Sequence, residues 1–186
     1  MNFNRYITEA EFSELAAFIR REGVVRRFAR GERLSGQGLR SHRCGLVVQG
    51  AFRYVHAAAA GEEHVVGYAF AGEFVGDYIS MCVDAPSQVT IGAMCGAEAL
   101  LVPGERLETF YRTDAACERL GRRLAEHMLA EVYERLLDRY AASPQQRYEA
   151  LTERCPDVLQ LVPLRELASY LGVRPETLSR IRRRVR

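Results

Sequence analysis

The residues best equipped for chemistry lie at the end of the chain, in the stretch VPLRELASYLGVRPETLSRIRRRVR at 162–186. Leu164, Leu167, Ala168 and Leu171 recur at i, i+3, i+4 and i+7, one apolar stripe on a first helix. Gly172 follows, where a helix end takes a residue tolerant of positive φ. Pro175 suits the first turn of a second helix, where its missing N–H costs nothing. On that helix Leu178, Ile181 and Val185 share one face. Glu176, Ser179, Arg180 and Arg183 point the other way, with Thr177 and Arg184 on the flanks. A short helix with a packed back and a polar, cationic front fits the major groove of duplex DNA. The same pattern also suits a structural helical hairpin whose arginines are solvated and complement the helix dipole.

Charge distribution favours a polyanionic partner. Residues 143–186 hold 9 Arg and 5 acids, a balance of +4, whereas residues 1–142 hold 17 Arg and 19 acids, a balance of −2. Six of those arginines and one glutamate fall within 174–186. Basic charge gathered at one end is the footprint of a nucleic-acid ligand. All 26 basic residues are arginine, a bias with no evident mechanism.

Other chemistries lack their residues. Cys44, Cys82, Cys95, Cys117 and Cys155 are widely spaced, form no C-x-x-C, and are expected to be buried reduced thiols. His42, His56, His64 and His127 form neither H-x-H nor H-E-x-x-H, so no metal and no other cofactor is expected. With 48% hydrophobic and 27% charged residues, the composition is that of a water-soluble globular protein. No apolar run reaches membrane-spanning length and no signal peptide is evident, so the cytoplasm is the expected compartment and a membrane is not an expected partner.

These residues must be held by a scaffold. Thr8 and Glu11 have capping-box spacing ahead of Phe12, Leu15, Ala16 and Ile19, which predicts a first helix ending at Gly23. Short apolar or alternating runs then predict strands at 24–28, 44–49, 51–56, 64–70, 89–95 and 99–102, separated by glycine turns, as in an antiparallel sandwich or roll. A helix is expected from about Asp114 to Ala141. Its apolar residues form two adjacent rows, Leu120–Leu124–Met128–Val132–Leu136 and Leu129–Tyr133–Leu137–Tyr140. So wide a stripe suits a helix that touches its own domain and the same helix of a second subunit. Burial within one chain is the alternative. Ser143, Pro144 and Gln146 open a new helix with a capping box.

In that order the elements resemble the Crp/Fnr family of bacterial transcription regulators, over essentially the whole chain. The resemblance is carried by Gly72-Glu-Phe-Val-Gly-Asp77 and by 143–148 through Leu178-Ser-Arg-Ile181, the latter similar to a compact Bacteroidetes-type subgroup. It implies an α+β fold in three parts. These are an N-terminal double-stranded β-roll of the cyclic nucleotide-binding type (1–113), a long dimerisation helix (114–142) and a C-terminal helix-turn-helix (143–186). It also implies a homodimer on an inverted repeat in double-stranded DNA, with RNA polymerase a candidate partner and no enzymatic activity. By position, Glu176 and Arg180 match the family's base-reading pair. Arg165, Thr177 and Ser179 match phosphate-contacting positions, and Arg183 belongs to the same cationic front. Pro175 stands where many members carry a further base-reading arginine. The sequence ends at Arg186, where the family's β-wing would follow.

The effector side departs from the family. Relatives that bind cyclic nucleotides use a Gly-Glu pair and, about ten residues later, an Arg-Ala/Ser pair that holds the phosphate. Here the pairs read Gly76-Asp77 and Ser87-Gln88. The carboxylate is kept in kind and the phosphate's guanidinium is gone, which argues against cyclic AMP. Tyr68, Phe70, Gly76, Asp77, Tyr78, Ser87 and Gln88 remain candidates for lining an altered pocket, for another small molecule or vestigial and filled by side chains, with Met81 and Thr90 beside them. Two rivals stay open: a ligand-binding roll whose C-terminal helices dock a protein, and a cupin-type enzyme. The second lacks the clustered His and Glu its metal would need.

Overall fold

The computed structural model describes residues 3–4, 11–40 and 42–185. Helix α1 (Ser13–Glu22) leads into eight strands: β1 (Val24–Phe28), β2 (Arg33–Ser35), β3 (Arg43–Gln49), β4 (Ala51–Ala57), β5 (Glu63–Phe70), β6 (Phe74–Gly76), β7 (Thr90–Ala93) and β8 (Ala97–Pro103). A short helix α2 (Tyr78–Cys82) lies between β6 and β7. The strands form two antiparallel sheets, ordered β1-β8-β3-β6 and β2-β7-β4-β5. Phe28, Val47, Phe52, Val75, Ile91 and Leu101 fill the space between them. Gly45 on β3 lets the backbones close: a Cβ there would sit 1.8 Å from the carbonyl oxygen of Leu100 on β8.

The expected α+β roll is therefore present. The six expected strands all form, and two three-residue strands, β2 and β6, join them. Helix α3 (Gly104–Tyr111) was not expected. Thr8 of the expected capping box lies outside the described residues. Helix α1 starts after Phe12, which makes no side-chain cap. Cys44, Cys117 and Cys155 are buried as expected, but Cys82 and Cys95 are exposed, because one ends α2 and the other sits in the turn before β8. Burial pushes the Cys44 thiol up to about 12, which keeps it protonated and unreactive.

Helix α4 (Ala115–Ala141) has 27 residues and spans about 40 Å. Asp114 caps it by accepting from the backbone N–H groups of Ala116 and Cys117 at 2.8 Å. Its first half rests on the roll: Leu124 is buried, and Leu120 and Met128 pack beside it with α1 and α3. Its second half presents an exposed apolar face in the single chain. Leu129, Val132, Tyr133, Leu136, Leu137 and Tyr140 are all exposed, Tyr140 at 85%.

Helix α5 (Pro144–Arg154) carries the expected capping box between Ser143 and Gln146. After α6 (Val158–Leu161) come α7 (Leu164–Leu171) and α8 (Pro175–Val185), the helix-turn-helix pair. This unit does not hang free. Tyr148, Leu151, Leu167 and Leu178 share one apolar core with Val65, Tyr68 and Phe70 of β5. Ser169 accepts from the backbone N–H of Val65 on that edge strand at 3.0 Å, and Arg53 of β4 pairs with Glu166 of α7. Phe3 sits at the seam, with ring centres 5.3 Å from both Tyr68 and Tyr170.

Candidate nucleic-acid interface and effector cavity

The C-terminal pair is set by local sequence. Gly172 takes φ +66 and ends α7, with its N–H donating to Ser169 and that of Val173 to Ala168. Pro175 opens α8. Leu178 is fully buried and Ile181 nearly so, and this packing fixes the rotation of α8. Glu176, Arg180, Arg183 and Arg184 are consequently exposed, with Thr177 and Ser179 half-buried on the flanks. Arg165 is exposed at the start of α7. Val185, expected on the packed face, is 43% exposed because it lies one turn beyond Ile181, the last residue of α8 that reaches the core.

Gly172 also has no room for a side chain. A Cβ would lie 2.1 Å from Nη1 of Arg139, whose guanidinium from α4 rests on this turn. That end can swing away, so backbone strain dominates. Gly172→Ala is expected to lower stability by about 1 kcal/mol in denaturant unfolding.

On the effector side, a cavity of about 770 Å³ opens beneath α2 and runs along α4 to α5 and α7. Tyr68, Gly76, Asp77, Tyr78 and Gln88 line it. Phe70 and Ser87 do not. Phe70 turns toward Phe3, and Ser87 is buried and committed to Asp77. Met81 and Thr90 also lie outside it: Met81 packs toward α3, and Thr90 accepts from the Gln37 backbone.

The two positions matching the cyclic-nucleotide signature satisfy each other. Asp77 Oδ1 caps α2 by accepting from Ser80 N–H at 3.1 Å, and Oδ2 accepts from Ser87 Oγ at 2.5 Å. Tyr54, a residue the sequence did not single out, takes the neighbouring donor, its hydroxyl oxygen accepting from Gly76 N–H at 3.1 Å. Burial raises the Tyr54 phenol, so it stays protonated. The far wall, Arg135, Arg139, Arg147 and Arg154, also went unnoticed. Arg135 and Arg139 share one face of α4 at i, i+4, and Arg147 and Arg154 one face of α5 at i, i+7, but only the tertiary docking of these helices brings the two pairs together.

Residues 25–114 match the family described as the cyclic nucleotide-binding domain. Over those residues the β-roll is similar to cyclic nucleotide-binding domains. No curated protein matches the chain. Among solved structures it is similar to FixK2 from Bradyrhizobium japonicum, with a TM-score of 0.75 and 19% identity over 88% of this chain and 84% of that one. It is similar to the regulator CLP of Xanthomonas campestris, described as responsive to c-di-GMP, with a TM-score of 0.63 and 17% identity over 96% and 91%. The catabolite activator protein of Thermus thermophilus gives a TM-score of 0.56 and 18% identity over 100% and 86%. The whole chain thus has the fold seen in Crp/Fnr-type regulators. No helix among the described residues is long and apolar enough to cross a membrane.

Proposed function

We propose that the chain is a dimeric, sequence-specific DNA-binding transcription regulator, not an enzyme, that works in the cytoplasm and answers to something other than cyclic AMP. The observation that carries this reading is α8. Its back is locked by Leu178 and Ile181, and its front presents Glu176, Arg180 and Arg183 to solvent as one polar, cationic face. Arg180 is the guanine reader and Glu176 accepts from cytosine N4. Arg165, Thr177 and Ser179 hold phosphates and set register.

The exposed apolar face on the second half of α4 supports dimerisation through its own copy. A row of Leu129, Val132, Leu136 and Tyr140 left in water would cost far more than surface side chains usually do. Cyclic AMP is disfavoured because no guanidinium stands at Ser87, and Asp77 and Gly76 N–H are already bonded within the protein.

Selection of sites from a randomised duplex pool tests the reading. Enrichment of an inverted repeat with half-sites about one helical turn apart is expected. Failure to enrich any duplex, together with salt-insensitive capture of a protein, would transfer the helix-turn-helix to a protein partner. Arg165→Ala is expected to weaken all duplexes evenly and reduce the salt slope by about one. A change in base preference at one position would remove Arg165 from the phosphate-contacting set.

A further inference from the structure

The cavity beneath α2 has two chemically different ends. Along most of its length the wall is apolar, formed by Tyr54, Phe74, Tyr78, Leu124, Met128 and Leu136. The tyrosine hydroxyls there are engaged within the protein, Tyr54 with Gly76 and Tyr78 with the Gly121 carbonyl, so they offer little to a polar ring. At the α5–α7 end stand Arg135, Arg139, Arg147 and Arg154.

None of these four guanidiniums has a carboxylate within ion-pairing distance among the described residues. Glu131 and Asp138 also line the cavity. The arginines are held in place by uncharged groups instead. Arg135 lies 4.5 Å over the Tyr170 ring and donates to the Val66 carbonyl at 2.7 Å. Arg154 lies 5.2 Å over Phe3. Arg147 donates to the Ala142 carbonyl at 2.7 Å. The Nε–H groups of Arg147 and Arg154 are buried with no acceptor among the described residues. Four arginines against two lining carboxylates leave an excess of positive charge at this end, and a bound anion offsets it.

We propose that this cavity binds an anionic amphiphile, a carboxylate carried on a long aliphatic or fused-ring body. The body lies along the apolar wall under α2 and the carboxylate meets the arginines. The volume falls in the range of small-molecule sites. The head-group end lies apart from the Gly76–Ser87 segment of the same cavity, where a cyclic nucleotide's phosphate belongs. Arg135 and Arg139 touch Tyr170 and Gly172 of α7 and its turn, so the ligand's head group bears directly on the DNA-reading unit. That effector role rests on the regulator reading; binding itself does not.

Calorimetric titration of the full chain, without DNA, tests it. The probes are dodecanoate below its micellar concentration and dodecyltrimethylammonium as the matched cation. Dodecanoate is expected to bind one per chain, with the cation weaker by about tenfold or more. The double variant R139Q/R154Q is expected to lose about tenfold in dodecanoate affinity with its helical signal intact. No uptake, equal uptake of both probes, or unchanged affinity in the folded variant overturns the proposal. Should the variant not fold, the anion–cation comparison on the native chain decides alone. The duplex selection is a separate readout, so loss of either result leaves the other standing.

Discussion

Glu73→Ala is expected to destabilise the protein by about 3 kcal/mol, lowering the midpoint of thermal unfolding by about 10 °C. Glu73 is only 2% exposed, and its carboxylate accepts four N–H groups. Oε1 takes the backbone N–H of Phe3 at 2.5 Å and of Asn4 at 3.1 Å; Oε2 takes Asn4 Nδ2 at 2.8 Å and Phe70 N–H at 3.0 Å. Alanine leaves those donors buried without an acceptor, while relief of a buried charge returns part of the loss. Gln keeps one oxygen but turns an amide N–H₂ toward donors, so Glu73→Gln should fall between. The effect reaches beyond the turn between β5 and β6. Phe3, fixed by this carboxylate, packs against Tyr68 and Phe70 of the roll, Tyr170 of α7 and Arg154 of α5. Hydrogen exchange at α7 should therefore quicken in the alanine variant; an unchanged α7 would show that the seam holds without Phe3.

The same residue gives a pH dependence. Burial raises the Glu73 carboxyl, against the pull of its N–H partners. Between the ordinary carboxylate range and that raised value, the folded chain holds the proton more often than the unfolded one. Stability from this group is thus fully present below the ordinary range and is lost as pH rises through the raised value. Glu73→Gln should flatten that part of the stability profile. A profile unchanged in shape would mean that other carboxylates set it.

How much of this was legible depends on the range of each interaction. The capping box of Ser143 and Gln146, the positive φ of Gly172 and the burial of Leu178 and Ile181 are local, written within a few residues, and all are found. The long helix showed through its period, and Asp114 marked its start. Strands β2 and β6 were too short for alternation to register. Helix α3 was obscured because Leu107 alone of its residues is fully buried. The roll–helix seam had no signature at all. Arg53 meets Glu166 across 113 positions, and Glu73 meets Asn4 across 69. Asp77 and Ser87 illustrate the opposite failure: their positions matched a ligand-holding pattern, yet their hydrogen-bonding capacity is turned inward. Only the three-dimensional partners distinguish a free carboxylate from a satisfied one.

Arg180→Ala is expected to cost about 1–3 kcal/mol at the protein's own site and to relax base choice at one position per half-site. Rotation of α8 decides this. With Leu178 and Ile181 against the core, Arg180 projects from the exposed face, one turn beyond Glu176. A guanidinium there can donate two parallel hydrogen bonds to guanine O6 and N7, a pairing that no other base edge offers. Arg180→Lys keeps the charge but loses the planar fork, so it should retain most non-specific affinity while losing much of the discrimination. Arg183 and Arg184 carry charge on the same helix, so removing either should lower affinity without moving base preference. The measurement is competition between the selected duplex and variants substituted one position at a time, at fixed salt. Loss confined to one base pair assigns Arg180 to that pair. An equal loss across all duplexes would place it among the phosphate contacts, and Glu176 would be left as the candidate reader on this helix.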